Sequence, residues 1–382
     1  MKPLKIVSIL VCAICFQIPT PALTGAPIDL SRFPVGTWVN ITPPMIVTGR
    51  PETCIGQGLA LDFRNPGTIY WTNAPFEMSN NGLFKSTDYG ATWRRIASVR
   101  PVFPGASNYL DMPLHVRVNP NDSNHLYVGD GVRGSSHGFF VSHDGGETFV
   151  KPPGFIAATK AAGIDNHDIY DVAVDPTNFE HVLVTFHYRW GWDDTKWNKN
   201  SGVMESNDGG ASWKVIPPVG SWGSGHSIKF LFEPVLGIGN SRTWLVGTQG
   251  DGLWRTTDGG DHWTKVSATN ITHGGSAIYY TRAGVLYAGG EQTMRSTDNG
   301  VTWTSVLQRS TSAVYGDGTL LYTGGVFANM PFQVTPETNG TTWTDFNNQR
   351  FSNGPYEMAF DAKNGLVFSS NWTSGIWVLR PR

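Results

Sequence analysis

The chain has 382 residues, with 28 Lys and Arg against 30 Asp and Glu and a formal net charge of -2. That balance excludes the basic footprint of a nucleic-acid binder and the polybasic patch of a membrane-surface protein. The length suits one large all-β domain.

At the N-terminus, Lys2 and Lys5 precede an apolar run over 6–16 and a Pro-rich, small-residue stretch over 19–26. This is the three-part layout of a secretory signal, so residues 1–25 are expected to be removed and 26–382 to form one secreted, extracellular domain. No other apolar run approaches the roughly 20 residues a membrane-spanning helix needs. Cys12 and Cys15 fall within the signal, leaving Cys54 alone, which rules out an intramolecular disulfide and a Cys-based metal site. Sequons at Asn40, Asn121, Asn270, Asn339 and Asn371 suit a eukaryotic secretory route and a glycoprotein.

Residues 37–41 read as a short strand. Beyond it, inner strands are expected at 58–63, 114–118, 171–174, 227–232, 276–280, 312–315 and 356–360, each leading through a turn into a second strand. The third strand of the first unit runs into Ser86-Thr87-Asp88-Tyr89-Gly90-Ala91-Thr92-Trp93, and this phrase returns with Asp144, Asp208, Asp258 and Asp298 at its centre. In a sixth copy, over 336–343, Thr338 stands at the Asp position. Each copy reads as a hairpin turn in which Gly or Asn supplies positive φ, the carboxylate bonds its own backbone, and the Trp packs back on the turn.

The phrase resembles the Asp-box (BNR) repeat of sialidases, sortilin-like receptors, xyloglucanases and several polysaccharide lyases. The resemblance implies a β-propeller whose box Asp residues are structural turn locks away from the chemistry. Seven inner strands imply an all-β, seven-bladed propeller. Its last unit lacks one strand, which 37–41 can supply, closing the ring and removing exposed sheet edges. A six-bladed sialidase is the competing architecture, but the Phe/Tyr-Arg-Ile-Pro phrase of that family is missing.

Long, irregular loops next to short ones point to the working face of such a disc. They fall at 107–112, 129–138, 163–168, 187–200, 220–226 and 270–275, all on the face opposite the box turns. Around blades three and four these loops carry His167, Asp168, His187, Tyr188, Arg189 and His226, with Trp190, Trp192, Trp197 and Trp222 as sugar-stacking candidates, and His273 lies in the 270–275 loop. Proton abstraction beside a carboxylate needs a base near ambient pH, a cation and a proton donor, which His, Arg and Tyr supply. Asp111, Asp168, Asp193, Asp194 and Glu291 keep hydrolysis open, since a glycosidase needs two carboxyl groups roughly 5 to 9.5 Å apart.

In size, secretion, blade count and its His/Arg/Tyr/Trp face, the chain is similar to the fungal L-rhamnose-α-1,4-D-glucuronate lyases of gum arabic and arabinogalactan. That resemblance implies removal of a terminal sugar from a uronate by β-elimination. His167 or His187 would be the base, Arg189 the carboxylate clamp, and Tyr188 or a second histidine the leaving-group donor. His226, His273, Asp168, Trp190 and Trp222 would position a polysaccharide or oligosaccharide. The alternatives are a glycoside hydrolase and a non-catalytic glycan-binding propeller. No cofactor is expected beyond a possible structural calcium ion, and the chain is expected to act as a monomer without nucleic-acid or membrane partners.

Overall fold

The repeated turn works as its chemistry predicts. In the first copy the Ser86 hydroxyl donates to Asp88 Oδ1 (2.8 Å) and accepts from the Gly90 amide (2.8 Å), while Asp88 accepts from the amide and hydroxyl of Thr92 (2.9 and 2.5 Å). The same bonds recur around Asp144, Asp208 and Asp298. Around Asp258 the His262 ring replaces the last hydroxyl, its Nδ1 2.7 Å from Asp258 Oδ2. Each of the five Asp-centred copies places two consecutive residues at positive φ, Tyr89 and Gly90 at 56° and 75° in the first. A non-glycine side chain is strained there, and the Tyr89 hydroxyl offsets the strain by accepting from Asn364 Nδ2 (2.9 Å), which ties the first blade to the last. The sixth copy differs from expectation: Asn339, not Thr338, holds the turn by accepting from the Thr341 amide (3.1 Å) and hydroxyl. The Trp also varies, since Trp213 and Trp303 donate to their own turns but Trp93 donates to the Ile41 carbonyl (2.7 Å).

A computed structural model describes residues 28–77, 80–97, 110–131, 136–193, 195–223, 227–231, 241–271, 277–325, 329–351 and 353–382. These form seven antiparallel sheets whose inner strands contact one another in an unbroken cycle, a seven-bladed β-propeller. From blade 1 to blade 7 the inner strands are Gly56–Leu61, Pro113–Asn119, Ile169–Asp175, Ser227–Phe230, Ile278–Tyr280, Val314–Gly316 and Pro355–Asp361. Trp38–Asn40 pairs antiparallel with Gly375–Leu379, Trp38 opposite Leu379, so blade 7 is built from both ends of the described chain.

Blade 2 breaks the pattern. It has three strands, a single bridge between Val141 and Val150, and then a helix, α1 (Pro153–Ala162), that turn-and-strand periodicity does not announce. Local chemistry explains it. Pro153 presets φ at the first helical position, the alanines and Lys160 of the second half favour the helix, and Gly163 closes the end at φ 68°. Phe155 and Thr159 are buried, and a Cβ at Gly154 would collide with the Ala211 carbonyl, so the helix start lies directly on the blade 3 box turn.

Because the strands alternate in direction, all inner strands begin at one face, where the loops between second and third strands also lie. We call this the loop face and the opposite, box-bearing side the turn face. Among the described residues no helix is long and apolar enough to cross a membrane, and the expected signal lies outside them. The Asn371 sequon is not open to glycosylation, since its side chain is buried and donates to the carbonyls of Ser369 (3.0 Å) and Gly375 (3.2 Å).

The turn lock makes a prediction about acid stability. The hydroxyl and amide of Thr302 hold the Asp298 carboxyl at about 2, below its ordinary 3.8. A depressed native pKa contributes stability above the unfolded value that is lost as pH falls through the native one, here between about pH 4 and 2. In calorimetry over that range, Tm of the wild type should fall more steeply than that of Asp298→Asn, while the variant is the less stable protein at neutral pH.

Candidate functional site

On the loop face of blade 3, the segment entering the inner strand and the loop leaving the second strand fold onto each other. The amides of Asp165 and Asn166 both donate to the Trp190 carbonyl (2.8 and 3.0 Å), Asn166 Nδ2 donates to the Arg189 carbonyl (3.0 Å), and the His187 amide donates to the Asp168 carbonyl (2.9 Å). These bonds fix His187 beside Asp168, with Nδ1 3.2 Å from Oδ2. The His187 ring stacks on Tyr170 (5.5 Å between centroids, 27° between planes), and Tyr170 meets Tyr356, which leans on Trp372. Asp168 is 4% exposed and the His187 side chain 24%, so the imidazole is the open end of the pair.

Next along the loop, the Arg189 guanidinium lies 5.2 Å from the Tyr188 ring centroid, and Tyr188 leans on Trp192 at 5.8 Å. Tyr188 and Trp192 are 39% and 52% exposed, an unusual concentration of aromatic surface. His187, Asp168, Tyr188 and Arg189 are therefore brought together.

The other expected residues are not. Trp190 is fully buried among Phe186, Trp197 and the blade 2 and 3 core, and Trp222 is fully buried against Trp254 and Trp263, so neither offers an indole face to a sugar. His167 packs edge-on against Phe155 of α1 (5.5 Å), with Nε2 3.2 Å from the Ile164 carbonyl, instead of joining the His187 stack. Burial, aided by the charge of Lys151, lowers its pKa. His226 and His273 lie outside the described residues, as does Asp194.

Two groups of residues were not foreseen as units. Beneath the loop face of blade 2, the Ser136 hydroxyl lies 2.6 Å from both Asp111 Oδ1 and Asp130 Oδ1 and accepts from the Asp111 amide (3.0 Å). A hydroxyl has one proton to give. It can serve two carboxyl groups only if one of them donates, and burial together with the neighbouring Asp111 raises the pKa of Asp130 well above normal. The two carboxyl groups thus share one proton, and the direction of this shift favours Asp130 as its holder.

The second group sits on the propeller axis. Arg117 bonds Glu357 (2.7 Å) and Asp171 (3.3 Å), and His115 lies 3.7 Å from each carboxylate. Burial pushes Glu357 up, but Arg117 and His115 outweigh it and its pKa is lowered; for Asp171 burial prevails and the pKa is raised. The signal for this group was present in the sequence as charged residues inside strands expected to face the ring centre. Among the described residues no group of three or more His, Cys, Asp and Glu is placed to hold a metal ion.

No family model matches the chain. It is 26% identical over 306 residues to an oligoxyloglucan-reducing end-specific xyloglucanase of Emericella nidulans, covering 74% of this chain and 35% of that protein. It is also 26% identical over 254 residues to a xyloglucanase of Paenibacillus sp, covering 60% and 22%. The chain thus spans about a third or less of these curated relatives. Among solved structures it is similar to an ancestral GH74 enzyme (TM-score 0.58, 16% identity, 89% of this chain and 46% of that one) and to YCF48 from Cyanidioschyzon merolae (TM-score 0.53, 14% identity, 90% and 98%), likenesses that concern the fold. The expected β-elimination on a uronate is corrected by this finding: the matched sequences are xyloglucanases, which hydrolyse glycosidic bonds, and not lyases.

The shared proton in blade 2 is testable. A carboxyl group whose native pKa is raised contributes stability that is lost as pH rises above its unfolded value of about 4. The carboxamide of Asp130→Asn can still donate to Ser136 but cannot ionise. The Tm difference between variant and wild type should therefore move in the variant's favour from about pH 4 to pH 8, as measured by calorimetry.

Proposed function

We propose that this chain is a carbohydrate-active propeller of the glycoside-hydrolase type, acting on a xyloglucan-like β-glucan. The observation that carries the reading is the similarity to xyloglucanases across about three quarters of the chain. The loop-face cluster of blade 3 is its site. Tyr188 and Trp192 offer ring faces to pyranose C–H surfaces, and Arg189 offers hydrogen bonds to sugar hydroxyls. His187, oriented by Asp168, is the proton-transfer group that meets the substrate. Asp193, an exposed carboxylate one residue beyond Trp192, is the acceptor for a proton from water or the stabiliser of positive charge on the sugar. Trp190, Trp222 and His167 have structural roles.

A second reading, a glycan-binding propeller without turnover, is favoured by one observation. Asp168, Asp130 and Asp111 are 4%, 0% and 1% exposed, which leaves few open carboxylates on the described part of this face.

Incubation with xyloglucan should release reducing ends without an ultraviolet-absorbing unsaturated product. Asp193→Asn and His187→Ala should each lower kcat by about a hundredfold, whereas Trp192→Ala should raise KM about fivefold with kcat nearly kept. Tight binding to xyloglucan, lost in Trp192→Ala but without release of reducing ends, would establish the second reading. Neither binding nor release would exclude both.

A further inference from the structure

Among the described residues the axis of the ring is closed towards one face. Towards the loop face, Ile55, Tyr170, Tyr356 and Trp372 form a buried cluster, with His115 edge-on to Tyr170 and tilted against Tyr356, and this plugs the described part of the axis. Below the plug lies the Arg117, Asp171 and Glu357 network. Below that, a cavity of about 690 Å³ widens towards the turn face, lined by the C-terminal halves of the inner strands of blades 1, 2, 3 and 7 and by residues of blades 4 to 6. Among the described residues it is closed at the plug, and its mouth lies on the side opposite the loop-face cluster of blade 3.

The funnel has two chemically distinct parts. Its mouth is apolar, with Leu61, Val118, Val174, Tyr280 and Ala359 only part-buried and Phe63 57% exposed at the rim. Its floor is charged but unevenly committed. Arg117 spends its N–H groups on Glu357, Asp171 and the carbonyls of Val172 (2.7 Å) and Val116 (3.0 Å). The remaining oxygens of the two carboxylates are engaged by backbone, Glu357 by the Leu59 amide (2.9 Å) and Asp171 by the Ile228 amide (3.1 Å). Lys229, from the inner strand of blade 4, also lines this cavity. Among the described residues its side chain has no hydrogen bond or salt bridge; burial, and after it the charge of Arg117, lowers its pKa against the opposing pull of Asp171 and Glu357, so an anionic ligand would supply the counter-charge it lacks. An ammonium in such a setting retains three donors and a charge that water hydrates poorly.

We propose that the axial funnel is a second ligand site, separate from the loop-face cluster of blade 3, that takes a small amphipathic carboxylate. Its carboxylate meets the Lys229 ammonium, and its apolar body lies along the rim formed by Leu61, Phe63, Val174 and Tyr280. A neutral amphiphile gains the same apolar contact but leaves Lys229 without a counter-charge. A cationic one meets an ammonium and two carboxylates that are already engaged.

Titration calorimetry with octanoate and with its neutral isostere octanamide tests this on the intact protein. Octanoate should bind at one site and octanamide at least about tenfold more weakly, the difference a charge-assisted bond provides. Lys229→Met should abolish that difference. Phe63→Asp, a substitution at an exposed rim position that the fold should tolerate, should weaken octanoate by a similar factor. Saturating xyloglucan oligosaccharide should leave the octanoate affinity unchanged, which separates this site from the cluster of blade 3. No binding of octanoate to the wild type, equal binding of octanamide, or octanoate affinity unmoved by both variants would overturn the proposal.

Discussion

A ring of sheets has to be held at its centre, and in this protein one guanidinium does much of that work. Arg117 reaches from blade 2 to carboxylates on blades 3 and 7, and through their other oxygens to backbone amides of blades 4 and 1. Five blades thus share one ion-centred set of bonds. A buried ion pair is a poor source of net stability because desolvation offsets its attraction, yet removing one partner leaves an uncompensated charge and costs roughly 3 to 5 kcal/mol. The consequence is geometric. The network joins the inner strands of those blades, the plug of Tyr170 and Tyr356 lies beside it, and the ring of His187, oriented by Asp168, stacks on Tyr170.

Much of the fold was legible because it is written in local chemistry. Each Asp-centred turn is a self-contained set of side-chain-to-backbone bonds, so its recurrence marks off blades without knowledge of tertiary contacts. The missing strand of the last unit likewise has only one economical solution, since an open edge would expose unpaired backbone. Helix α1 was illegible for the converse reason: it replaces a strand in one blade only, and its docking depends on Ala211 in the next.

The site was legible in part. Loop length and residue type pointed to the blade 3 loop, and His187, Asp168, Tyr188 and Arg189 do meet there. Sequence could not tell which tryptophans of that loop face water. Trp190 is drawn inward because its carbonyl receives two amides of the neighbouring segment, while Trp192, two residues on, is left outside. His167 and Asp168 are adjacent in sequence yet engage different partners, α1 and His187, and Asn339 displaces Thr338 because a carboxamide one position later can still reach the Thr341 amide. These are decisions of packing, taken between segments remote in sequence. The chemistry was misjudged for another reason: His, Arg and Tyr suit elimination and hydrolysis alike, and the similarity to xyloglucanases decides against elimination.

The claim most of this rests on is that Arg117 couples the blades at the axis. Amide hydrogen exchange in Arg117→Gln tests it directly, read at Leu59 and Ile228, whose N–H groups bond the two carboxylates that Arg117 orients. The account predicts that exchange at both amides accelerates by about tenfold or more while the Thr302 amide in its remote turn keeps its protection. Unchanged protection at Leu59 and Ile228 in a folded variant would show that the strands hold their spacing without the guanidinium and would contradict it.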